Sequence, residues 1–141
     1  MDTILHAVDI AAPAEAVFDA VATADGLSRW WSTRVESDEK LGGTVRFQFV
    51  PDFNPEMEIT ELDRPNAVAW KCTGGAASWL GASLRFEIEA RGELSRLMFT
   101  QRYAGEMSDY DFGTFNYNWG YYLHGLQLYV ETGTGAPFPG A

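Results

Sequence analysis

The chain has 141 residues, 46% of them hydrophobic and 14% aromatic, which separates it from disordered sequence and suffices for one domain burying roughly 68–70% of its unfolded surface. Asp and Glu total 20 against 10 Lys and Arg; the formal net charge of -10 repels phosphate backbones and anionic lipid, so neither nucleic acid nor a membrane is an expected partner. No uncharged apolar run reaches the roughly 18 residues of a membrane span, the N-terminus lacks a secretory pattern, and the one cysteine, Cys72, cannot form an internal disulfide, so a cytoplasmic address is expected.

In a first strand His6, Val8 and Ile10 share parity. The run Ala12-Pro13-Ala14-Glu15-Ala16-Val17-Phe18 then signals a helix start. Pro13 at the first helical position loses no hydrogen bond, because first-turn N–H groups lack helical partners, and Glu15 complements the positive helix end. Val17, Phe18 and Val21 form its apolar face. A short second helix, which Thr23 can cap, carries Leu27, Trp30 and Trp31 at i, i+3 and i+4, and two adjacent tryptophans demand a large apolar space.

From residue 44 to 103 the pattern has period two, the signature of half-buried strands. Val45, Phe47 and Phe49 form one apolar set, Met57 and Ile59 the next, then Val68, Trp70 and Cys72, then Leu84, Phe86 and Ile88, and last Leu97, Phe99 and Gln101. Charged and polar residues alternate with them. Turn signals at Gly42-Gly43, Asp63-Arg64-Pro65-Asn66, Gly74-Gly75 and Arg91-Gly92-Glu93 separate the runs into an antiparallel meander. No linker or internal repeat divides the chain, so one domain over 1–141 is expected.

Residues 112 to 132 change to helical period. Phe112, Phe115, Trp119, Tyr122, Leu126 and Tyr129 share one face, with Leu123 and Val130 beside them, and Gly133 ends the helix. Gly113, Gly120 and Gly125 weaken a helix interior, so some are expected to permit close backbone approach. The tail, 134–141, has no period and reads as a loose strap. One strand, two short helices, a one-sided meander and a long amphipathic helix make an α+β arrangement, a helix-grip fold in which a curved antiparallel sheet wraps the C-terminal helix.

These residues also carry a resemblance. Ile10-x-Ala12-Pro13-x-Glu15-x-Val17, then Trp30-Trp31, Gly42-Gly43, Trp70 and the helix from Gly113 through Phe115, Tyr117 and Trp119 to Leu126 and Tyr129 run almost the length of the chain. In this the sequence resembles the activator of heat-shock-protein-90 ATPase homologue family of the START-like, SRPBCC superfamily. The resemblance implies the helix-grip fold and a deep apolar cavity between sheet and long helix that receives small hydrophobic molecules. Two departures stand out. Where members often carry a histidine on the penultimate strand, this chain reads Thr100-Gln101-Arg102-Tyr103-Ala104-Gly105. The family's eukaryotic co-chaperone has a further N-terminal domain, for which 141 residues leave no room.

An empty 300 Å³ pocket would cost about 7 kcal/mol, comparable to a domain's whole stability of roughly 5–15 kcal/mol, so such a space must be closed, hydrated or occupied. The expected walls are Trp30, Trp31, Phe47, Phe49, Met57, Trp70, Trp79, Phe86, Phe99, Phe115 and Trp119, with Gln101, Tyr103 and Tyr122 orienting a ligand. For each, plain core packing is the alternative. No catalytic residue, metal ligand or cofactor site is assigned. His6 and His124 are the only histidines, no carboxylate pair fixes a general acid and base, and Cys72 reads as a small buried hydrophobe. Asp109 and Asp111 suit a positive helix end, and with Glu106 could also gate a pocket mouth.

On the back of the long helix Tyr117, Tyr121, His124 and Leu128 form a stripe, and no Asp, Glu, Lys or Arg occurs between Asp111 and Glu131. Either this face meets a partner, most simply a second copy in a homodimer, or it is polar enough for water. Three functions remain, in this order: binding of a small hydrophobic or aromatic molecule, an aromatase or cyclase-like reaction in the same cavity, and a co-chaperone or other interaction role.

Overall fold

A computed structural model describes residues 2–139. The elements run β1 (Thr3–Ile10), α1 (Ala14–Ala22), α2 (Ala24–Leu27), β2 (Arg34–Ser37), β3 (Thr44–Gln48), β4 (Phe53–Asp63), β5 (Ala67–Ala76), β6 (Ser83–Arg91), β7 (Leu94–Arg102) and α3 (Asp109–Thr132), with a 3-10 turn at Ala77–Trp79. The seven strands form one antiparallel sheet in the order β1-β7-β6-β5-β4-β3-β2. Only the β1–β7 pairing joins strands that are not consecutive. β1 and β2 are therefore opposite edges, and α1 and α2 carry the chain from one to the other.

The period-two residues meet on one face. Phe47, Met57, Ile59, Trp70, Leu84, Phe86, Leu97 and Phe99 are all at most 2% exposed, and α1 and α3 pack over them. The outer face holds the charges: Arg85 on β6 pairs with Glu61 on β4 at 2.8 Å, spanning β5 at Ala69, and with Glu87 at 2.7 Å. Such exposed pairs contribute at most about 1 kcal/mol each. The fold rests on the inner face.

The start of α1 lies one residue later than the sequence suggests. Pro13 keeps an extended ψ of 155° and is the N-cap rather than the first helical residue; its carbonyl accepts the N–H of Ala16 at 3.1 Å. Thr23 caps α2 as expected, its hydroxyl accepting from Gly26 N at 3.0 Å. Trp30 and Trp31 fall just past α2, in a turn held by Trp31 N donating to Leu27 O at 3.1 Å. Trp30 donates to Ala20 O at 2.8 Å, tying that turn to α1.

The turn expected at Gly74-Gly75 is instead the continuation of β5. β4 and β5 extend past the rest of the sheet, with register shifts between Phe53 and Glu56 and again up to Met57. Gly75 at φ +78° sits so close to the Asn54 carbonyl that a Cβ there would overlap it, so the irregular pairing requires glycine. The true reversal is the 3-10 segment, pinned where Gly81 N donates to Cys72 O and Cys72 N to Ala82 O, both at 2.9 Å. β2, an edge strand of four residues bearing Arg34 and Glu36, was too short to show a period.

α3 begins at Asp109, capped by the Ser108 hydroxyl accepting from Asp111 N at 3.1 Å, with Asp109 and Asp111 in its positive first turn. Gly133 in the left-handed region ends it. Its C-terminal half is fastened to the end of β1, where Glu131 accepts the Ala11 N–H at 2.8 Å and Gln127 donates to Asp9 O at 3.3 Å. Its N-terminal half is not: Asp109 through Asn118 are exposed or at most half-buried. The helix thus bears on the sheet from Trp119 onward and overhangs it before that.

Two expectations fail here. None of Gly113, Gly120 and Gly125 is forced by a close approach, since a Cβ would meet no atom at Gly113 and only ordinary contacts of 3.7 Å or more at the others. The tail is not loose over its described part, because Phe138 N donates to Trp31 O at 2.8 Å, Thr33 N to Phe138 O at 3.0 Å, and the Phe138 ring packs 5.6 Å from Phe49. A burial partner, not a period, orders it. Gly113→Ala should therefore stabilise the protein by about 1 kcal/mol through helix propensity alone, read as a higher urea midpoint with unchanged slope.

Candidate functional site

The overhang of α3 leaves a cavity of about 200 Å³, open at one side, lined by Trp31, Phe49, Val50, Phe53, Trp79, Phe115, Asn118, Trp119, Tyr122 and Phe138. The walls converge from separate parts of the chain, with Phe49 and Val50 coming from the segment after β3. The extended end of the β4–β5 hairpin supplies Phe53, and the segment that follows supplies Trp79. The turn after α2 supplies Trp31 and the tail Phe138, while α3 supplies Phe115, Asn118, Trp119 and Tyr122 as a roof.

Six of the residues expected to line a pocket do so: Trp31, Phe49, Trp79, Phe115, Trp119 and Tyr122. The other eight lie elsewhere. Trp30, Phe47, Met57, Trp70, Phe86 and Phe99 interlock beneath the floor; Phe99 and Trp119 are 4.2 Å apart, Phe86 and Phe99 4.9 Å, Phe86 and Trp70 5.3 Å. The reason is distance between layers, since α3 touches the sheet where these rings face it. Gln101 and Tyr103 are fully buried behind the cavity wall. Conversely, Val50, Phe53, Asn118 and Phe138 escape sequence reasoning: Phe53 keeps the phase of Met57 and Ile59 but is set off from them by Asn54 and Pro55, which read as a turn, Phe138 lies in an aperiodic tail, and Asn118 looks like a solvent residue. Tyr117, Tyr121, His124 and Leu128 are all exposed, Tyr117 at 75%.

The Trp119 indole donates to Gln101 Oε1 at 2.7 Å, a buried bond that fixes the roof to β7. Trp79 Nε1, Gln101 Nε2 and Tyr103 Oη have no hydrogen-bond partner among the described residues. An unsatisfied buried polar atom costs about 1–3 kcal/mol, so the three together weigh against a domain stability of roughly 5–15 kcal/mol. The cavity is open to solvent at one side, so it carries no dry-void penalty, and the cost of the region lies in the buried donors.

Burial pushes the Tyr103 phenol well above the usual tyrosine range, against a smaller opposing effect of the nearby Trp79 indole, and burial likewise raises Tyr122. Burial also raises the Cys72 thiol, whose Sγ donates to Gly74 O at 3.5 Å, in keeping with an inert buried hydrophobe. Among the described residues no group of three or more His, Cys, Asp or Glu side chains is placed to hold a metal, and no helix is long and apolar enough to cross a membrane.

Because the Tyr103 phenol is raised in the folded state, the unfolded chain loses that proton first as pH climbs past about 10. Its contribution to stability is complete below that pH and declines above it. Urea midpoints measured from pH 8 to 11 should fall more steeply for the native sequence than for Tyr103→Phe.

A family model described as Activator of Hsp90 ATPase homolog 1-like protein matches residues 11–131. Among solved structures, the Aha1 dimer from Colwellia psychrerythraea is similar at 28% identity and TM-score 0.84, covering 96% of this chain and 100% of that one. BH1534 of Bacillus halodurans shares the fold at 20% identity and TM-score 0.76, over 93% and 98% of the two chains. CalU16 of Micromonospora echinospora does so at 14% identity and TM-score 0.72, over 95% and 76%. No curated protein matches in sequence. With the curved seven-stranded sheet, the two short helices after β1 and the long closing helix all present, this chain belongs to the activator of Hsp90 ATPase homolog 1-like family and has its START-like, helix-grip fold.

Proposed function

We propose that the protein binds a small apolar or aromatic molecule of about one ring in the cavity under the overhanging half of α3. The observation that carries this reading is the lining itself, in which every residue but Val50 and Asn118 is aromatic. Size sets the class. A cavity of about 150 Å³ admits benzene, whereas drug-sized ligands need roughly 300–1,000 Å³, so about 200 Å³ suits one substituted ring. A polycyclic chain exceeds it, which ranks simple binding above an aromatase or cyclase-like reaction.

Toluene is a sufficient probe. It should quench tryptophan emission saturably and raise the melting temperature, the stabilisation reaching about 2.7 kcal/mol at a hundredfold excess over Kd. Asn118 is exposed at the cavity mouth, so Asn118→Trp should abolish both effects while leaving the ligand-free stability nearly unchanged. Toluene binding that survives this blocked mouth, or no binding at all, would overturn the reading.

A second reading concerns assembly. The back of α3 exposes Tyr117 at 75%, Tyr121 at 55% and Leu128 at 40%, without Asp, Glu, Lys or Arg between Asp111 and Glu131, and the similar Colwellia protein is described as a dimer. A second copy covering this stripe accounts for the missing charges. Sedimentation at micromolar concentration should give a dimer that Leu128→Glu converts to monomer; a strict monomer in the native sequence removes this reading.

A further inference from the structure

The three unpartnered polar atoms behind the cavity wall form a group. Gln101 and Tyr103 are alternate residues on the inward side at the end of β7. Trp119 binds Gln101 and lies 6.0 Å from the Trp79 ring in a stacked arrangement, and the Trp79 indole in turn is near enough to Tyr103 to influence its phenol. A fourth orphan, His6 Nε2, belongs to a side chain that faces Gly120 instead.

The chemistry of the group is one-sided. An indole nitrogen can only donate, so the Gln101 atom that Trp119 meets at 2.7 Å is the oxygen, which fixes the amide orientation and leaves the NH2 as the orphan. Trp79 Nε1 is a donor too, directed toward the Tyr103 oxygen, and the Tyr103 hydroxyl can both accept and donate. The group therefore holds more donors than acceptors. No Lys or Arg lines the cavity, so an anion would be buried without a counter-charge at high cost. A neutral oxygen is the acceptor that fits.

Phe115 stands between the cavity and Tyr103. Its ring lines the cavity, packs 6.2 Å from Tyr103 and 5.6 Å from Trp79, and belongs to the half of α3 that the sheet does not hold. Resting on the cavity reading above, we propose that Trp79, Gln101 and Tyr103 form a polar subsite, gated by Phe115, that receives the carbonyl oxygen of a neutral one-ring aromatic ligand. The ring occupies the cavity, and a turn of the Phe115 side chain lets the carbonyl pass to the donors.

Acetophenone and ethylbenzene, which differ in that oxygen, test the subsite. Tyr103→Phe should weaken acetophenone about tenfold, the value of one hydrogen bond lost from a buried acceptor, and leave ethylbenzene within about twofold. The infrared carbonyl stretch of acetophenone bound to the native protein should lie below its frequency in hexane, a readout that stands even where the variant does not fold. Binding of both compounds with an unshifted stretch and no selective loss on Tyr103→Phe would overturn the subsite and leave the cavity reading intact. Failure of both compounds to bind would overturn the two together.

Discussion

The packing of Trp31 is the constraint on which the rest depends. Its ring lies 4.9 Å from Trp119, 6.0 Å from Trp30, 6.1 Å from Trp79 and 6.4 Å from Trp70, and it also meets Phe47 at 4.5 Å and Phe49 at 5.2 Å. Those partners belong to the sheet, to α3, to the β5–β6 connection and to Trp31's own turn. The Trp31 backbone adds the tail, since its carbonyl holds Phe138. Aromatic pairs contribute about 0.5–1.5 kcal/mol beyond area burial, and one side chain takes part in six of them. The layers are registered by that ring.

This registration explains why the hollow is small and off centre. Around Trp31 and Trp119 the sheet and helix are in contact, and the rings of β3, β5, β6 and β7 interlock below. Only toward the N-terminal end of α3, beyond the reach of these contacts, do the layers diverge. The fastening of the helix at Gln127 and Glu131, at its far end, leaves the overhang free of comparable ties. The apolar walls formed by the overhang therefore lie beside unsatisfied donors held on the firmly paired strand β7, a placement that sets a movable roof against a fixed polar group.

Much of this was legible in the sequence. Period two identified the inward residues of five strands, period 3.6 the inward stripe of the last helix, and Pro13, Thr23 and Gly133 the helix boundaries to within a residue. Periodicity reports direction but not depth: Phe99 and Phe115 both point inward, yet one is locked against Trp119 and the other roofs a void. Phe53 is hidden because Asn54 and Pro55 set it off from the alternation it shares with Met57 and Ile59, and Phe138 because its order comes from Trp31, Thr33 and Phe49, residues roughly ninety or more positions away. The Gly74-Gly75 pair reads as a reversal in the sequence because glycine at positive φ serves a bulge as readily as a turn.

All five tryptophans of the chain belong to this one stacked cluster, every other indole within 6.4 Å of Trp31. At such separations excitation energy migrates among the chromophores faster than they emit, so the protein behaves optically as a single antenna. Anything that quenches one indole would therefore dim all five, and deleting one indole would not isolate a local reporter.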